Sequence, residues 1–284
     1  MNSGGHQPGR LLIIGGSEDR EDDKAVLERF IQLCGGAGSR IVVMTAASKI
    51  GERVWELYDI AFGALGVKAR APIHIESRAA ANSAGVAEQV AAADGVFITG
   101  GDQKRLLALV GGTALDQAIR AALLRGACVA GTSAGASAMS AHMLVYGHGG
   151  ASTAKGTSGL GAGFGFLQHI IIDQHFSERH RLSRLLGLVT QNPSLLGVGI
   201  DEDTALLIEC GAAIEVFGSG VVTVIDGRTM VSNVADIERR VLPELIDVRL
   251  HILPAGSRHQ LGDGISRPPA LTEFVSIATT VTTA

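Results

Sequence analysis

The chain has 284 residues, of which 46% are hydrophobic, and it carries a formal net charge of −4. This length is enough to bury a sizeable core, and no Pro/Ser-rich linker or charge run separates two halves, so a single domain over residues 1–284 is predicted. The mildly acidic balance excludes a whole-molecule attraction to nucleic acid or to an anionic membrane surface.

Residues 1–9 contain glycine, asparagine and proline without an apolar core, and they are interpreted as a flexible leader and not as a signal peptide. No apolar run approaches the roughly 20 residues that a membrane span requires. The cysteines, Cys34, Cys128 and Cys210, are odd in number and widely separated, which favours reduced thiols over a disulfide framework or a zinc site. These features together predict a cytoplasmic protein.

Short β-branched runs alternate with Ala- and Leu-rich amphipathic stretches along most of the chain. The predicted strands are 10–14, 40–45, 68–75, 95–99, 127–130 and 169–173, and the predicted helices are 22–34, 51–65, 79–93, 103–109, 113–125, 136–144 and 178–190. Strands that alternate with helices predict parallel βαβ units with helices on both faces of one sheet. Further strands at 204–209, 213–217, 220–225 and 248–254 predict that residues 200–284 extend this sheet in antiparallel fashion.

Glycine-rich turns follow three of the predicted strands. They are GGSED at 15–19, GGDQ at 100–103 and GTSAGA at 131–136. Because function collects at the carboxyl ends of parallel strands, we expect the functional site at this edge of the sheet. The first turn lacks the G-x-G-x-x-G spacing and brings two carboxylates to the place of a pyrophosphate, which argues against dinucleotide binding.

The turn at 131–136 has the strand, G-x-S-x-G, helix order of a nucleophile elbow. Gly131 and Gly135 leave room for a sharp turn that lifts the Ser133 hydroxyl clear of the sheet. The amide of Ala134 and a second amide in the Gly100-Gly101 turn are candidates to hold an oxyanion, since backbone N–H groups there can approach a bound carbonyl closely. The pattern predicts a serine hydrolase.

The best candidate for the general base is His175, which follows an isoleucine-rich strand. We expect it on the same sheet edge as Ser133, where it would accept the serine proton. His169 and His180 lie six and five residues away, on different sides of strand and helix, so no metal site is expected.

The acid that orients the histidine should follow a further strand, and the sequence GIDEDT at 199–204 offers three carboxylates. Alternation places Asp201 and Asp203 on one side and Glu202 on the other. It does not decide which side faces the histidine, so from the residues alone the choice stays open.

Five motifs taken together resemble the family of serine peptidases that includes cyanophycinase and aspartyl dipeptidase. They are GGSED at 15–19, TGGDQ at 99–103, GTSAGA at 131–136, DQHFSERHRLSRL at 173–185 and GIDEDTAL at 199–206. The resemblance implies a three-layer, doubly wound α/β fold akin to class I glutamine amidotransferases and flavodoxin, usually dimeric. It also implies a Ser-His-Glu triad made by Ser133, His175 and Glu202, with the amides of Gly101 and Ala134 as oxyanion donors.

The resemblance further implies a substrate and the residues that bind it. The substrate is cyanophycin, a polyaspartate chain with arginine joined to each β-carboxyl, which an exopeptidase cleaves to β-Asp-Arg dipeptides without a cofactor. Arginine suits free carboxylates, and short polar or acidic groups suit guanidinium groups. Glu18 and Asp19 are further candidates to receive a guanidinium. The matching substrate-binding residues are Gln103, Asp173, Gln174, Arg179, Arg181 and Arg184.

Two alternative functions are kept beside this one. The chain could be an aspartyl dipeptidase that acts on short Asp-X peptides, or a non-catalytic protein of the same fold that binds a small molecule.

Some descriptions of the family place the acid shortly after the nucleophile. Between Ser133 and Asp173 this chain has no Asp or Glu, which strengthens Glu202 as the acid. The same interval is glycine-rich over 147–165 and is predicted to be a mobile loop.

Overall fold

The computed structural model describes residues 9–147, 152–265 and 269–282, so residues 1–8 of the predicted leader lie outside the described residues. The strands are, in chain order, β1 (Arg10–Ile14), β2 (Ile41–Met44), β3 (Arg70–Ile73), β4 (Gly95–Ile98), β5 (Cys128–Thr132), β6 (His142–Tyr146), β7 (Gly159–Ala162), β8 (Ile170–Gln174), β9 (Leu196–Ile200), β10 (Thr204–Glu209), β11 (Ala213–Gly218), β12 (Val221–Asp226), β13 (Val231–Ser232), β14 (Leu245–Ile246), β15 (Arg249–Pro254) and β16 (Arg258–Gln260). The helices are α1 (Ala25–Cys34), α2 (Gly51–Ala64), α3 (Arg78–Ala81), α4 (Ala84–Ala91), α5 (Gln103–Val110), α6 (Ala114–Leu124), α7 (Ala134–Ser137), α8 (Leu182–Gln191) and α9 (Pro269–Thr279).

The largest sheet has eight strands in the order β16-β11-β10-β1-β5-β4-β2-β3. Strands β1 to β5 run parallel, and β10, β11 and β16 add to them in antiparallel fashion. Alternate residues of β1 enter two different apolar clusters, Leu11 and Ile13 on one face and Leu12 and Ile14 on the other. Both faces are therefore covered, as parallel sheets require. This confirms the predicted layered, mostly parallel α/β fold with antiparallel strands near the C-terminus.

A separate four-stranded sheet, in the order β15-β12-β9-β8, carries the strand that precedes His175. The prediction that this strand and Ser133 belong to one sheet edge is wrong, and so is the prediction that the strands at 220–225 and 248–254 extend the large sheet, because they form β12 and β15 of the second sheet. A β-branched run specifies a strand without specifying its partner. The two sheets are joined where their strands end. The His175 N–H donates to the Gly15 carbonyl oxygen at 2.7 Å, and the Asp203 N–H donates to the Gly16 carbonyl oxygen at 2.9 Å.

The helix predicted over 136–144 is only one turn long, and β6 begins at His142. The carbonyl oxygens of Ala138 and Met139 accept hydrogen bonds from the N–H groups of Phe164 and Leu167. A returning segment therefore takes the acceptors that a longer helix would have used. Tertiary structure overrides the local helical pattern here.

Other segments also differ from their predictions. The single helix predicted over 79–93 is divided into α3 and α4. The helix predicted over 178–190 begins at Leu182, because residues before it form turns in which the Arg181 N–H donates to the Phe176 carbonyl oxygen at 3.0 Å. The glycine-rich interval contains a strand, β7, that pairs with β6. Residues 148–151 of that interval lie outside the described residues, and its predicted mobility is untested.

Across the parts of the chain that the structure covers, no single helix has the length and apolar character to cross a bilayer. The pair α5 and α6 would pass by length and composition, but it is bent by 97° at its break.

Candidate active site

The backbone of Ser133 has φ 53° and ψ −111°, a conformation that residues with a side chain rarely adopt. The serine stands between the end of β5 and the start of α7, and its N–H donates to the Ile14 carbonyl oxygen at 3.1 Å. A Cβ built on Gly131 would overlap the backbone of Gly135, and one built on Gly135 would overlap the carbonyl of Ile98. Both glycines are therefore needed for the turn, which has the geometry of the predicted nucleophile elbow.

The two amides predicted to hold an oxyanion flank this serine. Ala134 is the first residue of α7, so its N–H has no acceptor within the helix. Gly101 has φ +145°, and a Cβ there would overlap the Ala47 carbonyl. The neighbouring Gly100 approaches Ser133 so closely that an added Cβ would lie 3.2 Å from the serine Cβ. Glycine at these positions lets the loop after β4 lie directly against the elbow.

His175 is held beside Ser133 across the junction of the two sheets. Its Nε2 lies 3.0 Å from the Ser133 Oγ, and its Nδ1 lies 2.5 Å from a carboxylate oxygen of Glu202. The ring packs against Gly16, where a Cβ would overlap it. The backbone of His175 has φ 47°, fixed by the hydrogen bond of its N–H to Gly15. The three side chains form one continuous hydrogen-bonded path.

The other two carboxylates of the 199–204 turn are engaged elsewhere. The oxygens of Asp201 accept from the N–H groups of Ser177 and Val221, each at 3.1 Å. An oxygen of Asp203 accepts from the Asp19 N–H at 2.9 Å. The structure therefore brings only Glu202, of these three, to His175, and the two aspartates tie the turn to its neighbours.

Burial lowers the pKa of His175 below its usual 6.5, although the hydrogen bond that its ring donates to Glu202 opposes this effect. The positive charge of Arg179 lowers the pKa further. A histidine with a lowered pKa is neutral near pH 7, which is the form that accepts a proton.

The three arginines predicted to bind substrate have different environments. Arg179 is exposed. Arg181 is 8% exposed, and its Nη1 donates to the backbone and side-chain oxygens of Gln174. Arg184 is 6% exposed and makes a two-pronged ion pair with Asp173, which is fully buried, while its Nη1 donates to the Gly147 carbonyl oxygen at 2.6 Å. Because Asp173 and Arg184 are already paired with each other, we expect them to support the structure of the site and not to contact substrate directly.

Gln174 lies closest to the reacting groups among the remaining predicted binding residues, since its Oε1 is 3.4 Å from the Ser133 Oγ. Gln103 donates to the Leu144 carbonyl oxygen at 2.9 Å, which joins α5 to β6. Asp19 accepts from the N–H groups of its own loop at Glu21, Asp22 and Lys24, and these hydrogen bonds lower its pKa.

Sequence reasoning missed the buried contacts of Glu18, which is 2% exposed. One of its oxygens accepts from the Tyr58 hydroxyl, and the other accepts from the Thr132 hydroxyl at 2.5 Å. Glu18 also has a guanidinium nearby, that of Arg20 at 3.8 Å, so the expected kind of partner comes from the chain itself. Because Thr132 directly precedes the serine, its hydrogen bond to Glu18 helps to hold the nucleophile elbow in position. The only signal in the sequence was a carboxylate directly after a buried strand.

Within the described ranges, no three His, Cys, Asp or Glu side chains gather in a way that could hold a metal ion. What the site does contain is a serine on a strained strand-to-helix turn, a histidine within hydrogen-bond distance and a carboxylate on the far side of that histidine. This combination on an α/β sheet defines a serine hydrolase.

The chain belongs to Peptidase family S51, whose family model matches residues 11–216. It is 35% identical over 251 residues to a cyanophycinase from Geminocystis herdmanii, a match that covers 88% of this chain and 92% of that protein. It is 33% identical over 253 residues to a cyanophycinase from Trichormus variabilis, covering 88% of this chain and 85% of that protein. The crystal structure of a peptidase from an acI-B1 Actinobacterium has the same fold, with a TM-score of 0.66 at 22% identity over 90% of this chain and 98% of that one. The protein is a serine peptidase, as the sequence predicted.

Proposed function

We propose that this peptidase hydrolyses cyanophycin to β-Asp-Arg dipeptides through an acyl-enzyme on Ser133. The observation that carries the proposal is the continuous path from the Ser133 Oγ to the His175 Nε2 at 3.0 Å and from the His175 Nδ1 to Glu202 at 2.5 Å. It occurs in a chain that is similar to cyanophycinases over about 90% of its length. Ser133, His175 and Glu202 are the proposed Ser-His-Glu triad.

Each residue has a defined part in the proposed reaction. The Ser133 Oγ attacks an aspartyl backbone carbonyl while His175 takes the serine proton, and the amides of Gly101 and Ala134 hold the oxyanion. His175 then gives its proton to the leaving amine as the C–N bond breaks. Water repeats the sequence and releases the acyl group from the serine. Glu202 keeps the histidine ring in position and stabilises its protonated form.

The substrate preference is supported by the charges around the serine. Each repeating unit of cyanophycin carries a free carboxylate and a guanidinium. Arg179 is exposed and acts electrostatically on His175, so a carboxylate bound there would lie beside the reacting groups. The side-chain oxygen of Gln174 lies 3.4 Å from the Ser133 Oγ, and Arg181 donates to that same oxygen at 3.0 Å. Cyanophycinases among the similar proteins do not favour the aspartyl dipeptidase alternative.

The compartment and the assembly are part of the same proposal. Cys34, Cys128 and Cys210 are all free thiols, which suits the reducing cytoplasm. We expect a homodimer, as in the family that the sequence resembles, and light scattering should then give the mass of two chains. An exposed apolar face supports this expectation: Leu182, Leu250 and Ile252 are 43%, 49% and 58% exposed around one cleft beside the edge strand β15.

The test is to incubate the wild type and Ser133→Ala with cyanophycin and to identify the products by mass spectrometry. Wild type should release β-Asp-Arg, and Ser133→Ala should lose activity by a factor on the order of 10⁶ while it still binds the polymer. Ser83→Ala is the matched control, because Ser83 is exposed and its side chain does not cap α4. Near-normal turnover by Ser133→Ala would rule out the nucleophile. Cleavage of Asp-X dipeptides but not of the polymer would rule out the substrate.

A further inference from the structure

A second polar cavity opens at the same edge of the large sheet as Ser133. Its volume is about 730 Å³, and it lies where β2 and β3 end and α2 begins. The residues that give it polar character are Thr45, Ser48, Lys49, Glu52, Arg53, His74 and Glu76. None of these residues belongs to the proposed triad or to the substrate-binding set inferred from the sequence.

The cavity adjoins the oxyanion side of the serine. In the sheet order β1-β5-β4-β2-β3, the loop after β1 holds His175, Ser133 follows β5, and Gly101 follows β4. The next loop, after β2, touches Gly101 through the Ala47 carbonyl, which also accepts the Asp102 N–H at 2.9 Å.

The distance from the serine to the cavity is short enough for a peptide substrate to span. Adjacent strands lie about 4.8 Å apart, so β2 ends about 10 Å from β5. An extended peptide spans that distance in about three residues.

The walls of the cavity are held by contacts within the protein. The Thr45 hydroxyl and the His74 Nδ1 are 2.8 Å apart, which fixes the histidine ring. Gly51 lies so close to both that a Cβ there would be 2.6 Å from the Thr45 hydroxyl. The Ser48 hydroxyl oxygen accepts from the Ile50 N–H at 3.1 Å and shapes the loop that leads into α2. The polar groups are therefore presented on a built surface.

This surface carries charged side chains of both signs that form no salt bridges among the described residues. Lys49 and Arg53 supply two cations, and Glu52 and Glu76 supply two carboxylates, all on exposed residues. Among the residues that the structure describes, these four have no salt-bridge partner. A ligand that brings one carboxylate and one guanidinium would complement both pairs.

We infer that this cavity is a subsite for the acyl side of the substrate chain and takes a unit that carries both a carboxylate and a guanidinium. The position of His175 indicates which part of the substrate reaches this cavity. His175 must protonate the leaving amine, so the leaving segment lies towards the loop after β1, and the acyl segment extends past Gly101 towards Lys49 and Arg53. The inference rests on the proposed function, because the unit it describes is the repeating unit of cyanophycin.

The test compares Lys49→Glu with Lys68→Glu. Both substitutions change the net charge equally, but Lys68 is exposed near the start of β3, at the opposite edge of the sheet. With a five-unit β-Asp-Arg oligomer, Lys49→Glu should raise KM about tenfold or more, since a charge-assisted contact becomes a repulsion. Lys68→Glu should change KM by less than about twofold, as expected for a remote, screened charge.

A second substrate identifies the ligand group. If Lys49 meets the carboxylate, converting the arginine carboxyls of the oligomer to amides should bring the KM ratio of Lys49→Glu to wild type close to the ratio of the control. Equal KM values for the two variants on the untreated oligomer would overturn the subsite. If wild type cleaves no oligomer at all, the proposed function itself fails. Binding of the oligomer to Ser133→Ala, with and without Lys49→Glu, measures the same contact by calorimetry without turnover.

Discussion

The environment of His175 combines opposing influences on one side chain. Burial and the nearby Arg179 lower its pKa, and the hydrogen bond that the ring donates to Glu202 raises it. The general base is active when neutral, so kcat/KM should fall as the pH drops through this pKa, below 6.5. Removing each neighbour should therefore shift the acidic limb of the kcat/KM profile in a direction that depends on that neighbour's effect on the pKa.

We predict that Glu202→Gln and Arg179→Gln move the acidic limb of the kcat/KM profile in opposite directions. Loss of Glu202 removes an influence that raises the pKa, so the limb should move to lower pH, and kcat should drop on the order of 10²- to 10⁴-fold. Loss of Arg179 removes an influence that lowers the pKa, so the limb should move to higher pH. Profiles measured at low ionic strength check both signs. Shifts in the same direction would contradict this account.

The sequence identified the individual residues of the site better than it identified their partners. Ser133 could be predicted because its turn needs glycine on both sides, which is a local requirement. Glu202 could not be separated from Asp201 and Asp203 by alternation, since that depends on what lies opposite each side chain. The family resemblance pointed to Glu202, and the structure brings that residue to His175.

At the scale of single elements, α8 is fixed to β8 by a buried ion-pair cluster in which Asp173 meets both Arg184 and, at 3.5 Å, Arg181. Arg184 on the helix pairs with Asp173 on the strand, both largely excluded from water. Burial raises the pKa of Asp173, and the guanidinium of Arg184 opposes this effect. A buried ion pair contributes little net stability, but removing Arg184 leaves the buried Asp173 with only the more distant Arg181 as its counter-charge.

We predict that Arg184→Ala lowers the free energy of unfolding by about 3–5 kcal/mol. Arg179→Ala is the control, and it should stay within about 0.5 kcal/mol because Arg179 is exposed. Urea denaturation measures both. Replacing Asp173, Arg181 and Arg184 together, with Asp173→Leu, Arg181→Met and Arg184→Met, should recover part of the loss, because no buried charge of the cluster is then left without its partner. If Arg184→Ala keeps full stability and instead raises KM, Arg184 contacts substrate directly.

Most element boundaries of the large sheet could be predicted to within one or two residues, because apolar runs and glycine turns mark them locally. Strand β1 runs from Arg10 to Ile14 and β10 from Thr204 to Glu209, as expected. The error at α7 has a distant cause. The carbonyls of Ala138 and Met139, just after α7, accept hydrogen bonds from residues at and near Phe164. No local sequence pattern indicates contact with a segment so far along the chain.

At the scale of the molecule, the site is assembled from two sheets. Ser133 follows a strand of the eight-stranded sheet, and His175 and Glu202 follow strands of the four-stranded sheet. The sequence analysis predicted a single sheet, because the residues of a strand do not indicate which other strand it pairs with. The close approach of Gly16 to the His175 ring, together with the hydrogen bond from the His175 N–H to Gly15, holds the two halves of the site against each other.

We predict that Gly16→Ala lowers kcat/KM by about 100-fold or more, because the new Cβ displaces the His175 ring from the serine. Gly35→Ala is a matched control: φ is +109° at Gly35 and +99° at Gly16, but a Cβ at Gly35 would have no atom within 4 Å. Both variants share the backbone strain, so their unfolding temperatures separate strain from displacement. Equal kcat/KM for the two would show that the contact with His175 is unimportant.

The division of the site between two sheets also governs how the enzyme is made. The strand that ends before Glu202, β9, lies between β8 and β12, and β12 spans Val221–Asp226. A chain still attached to the ribosome can form the turn of Ser133 long before these residues have been synthesised. On the proposed triad, a nascent or prematurely ended chain has a nucleophile without its base and acid. We therefore expect peptidase activity only after synthesis has passed Asp226, so unfinished copies should not attack other proteins.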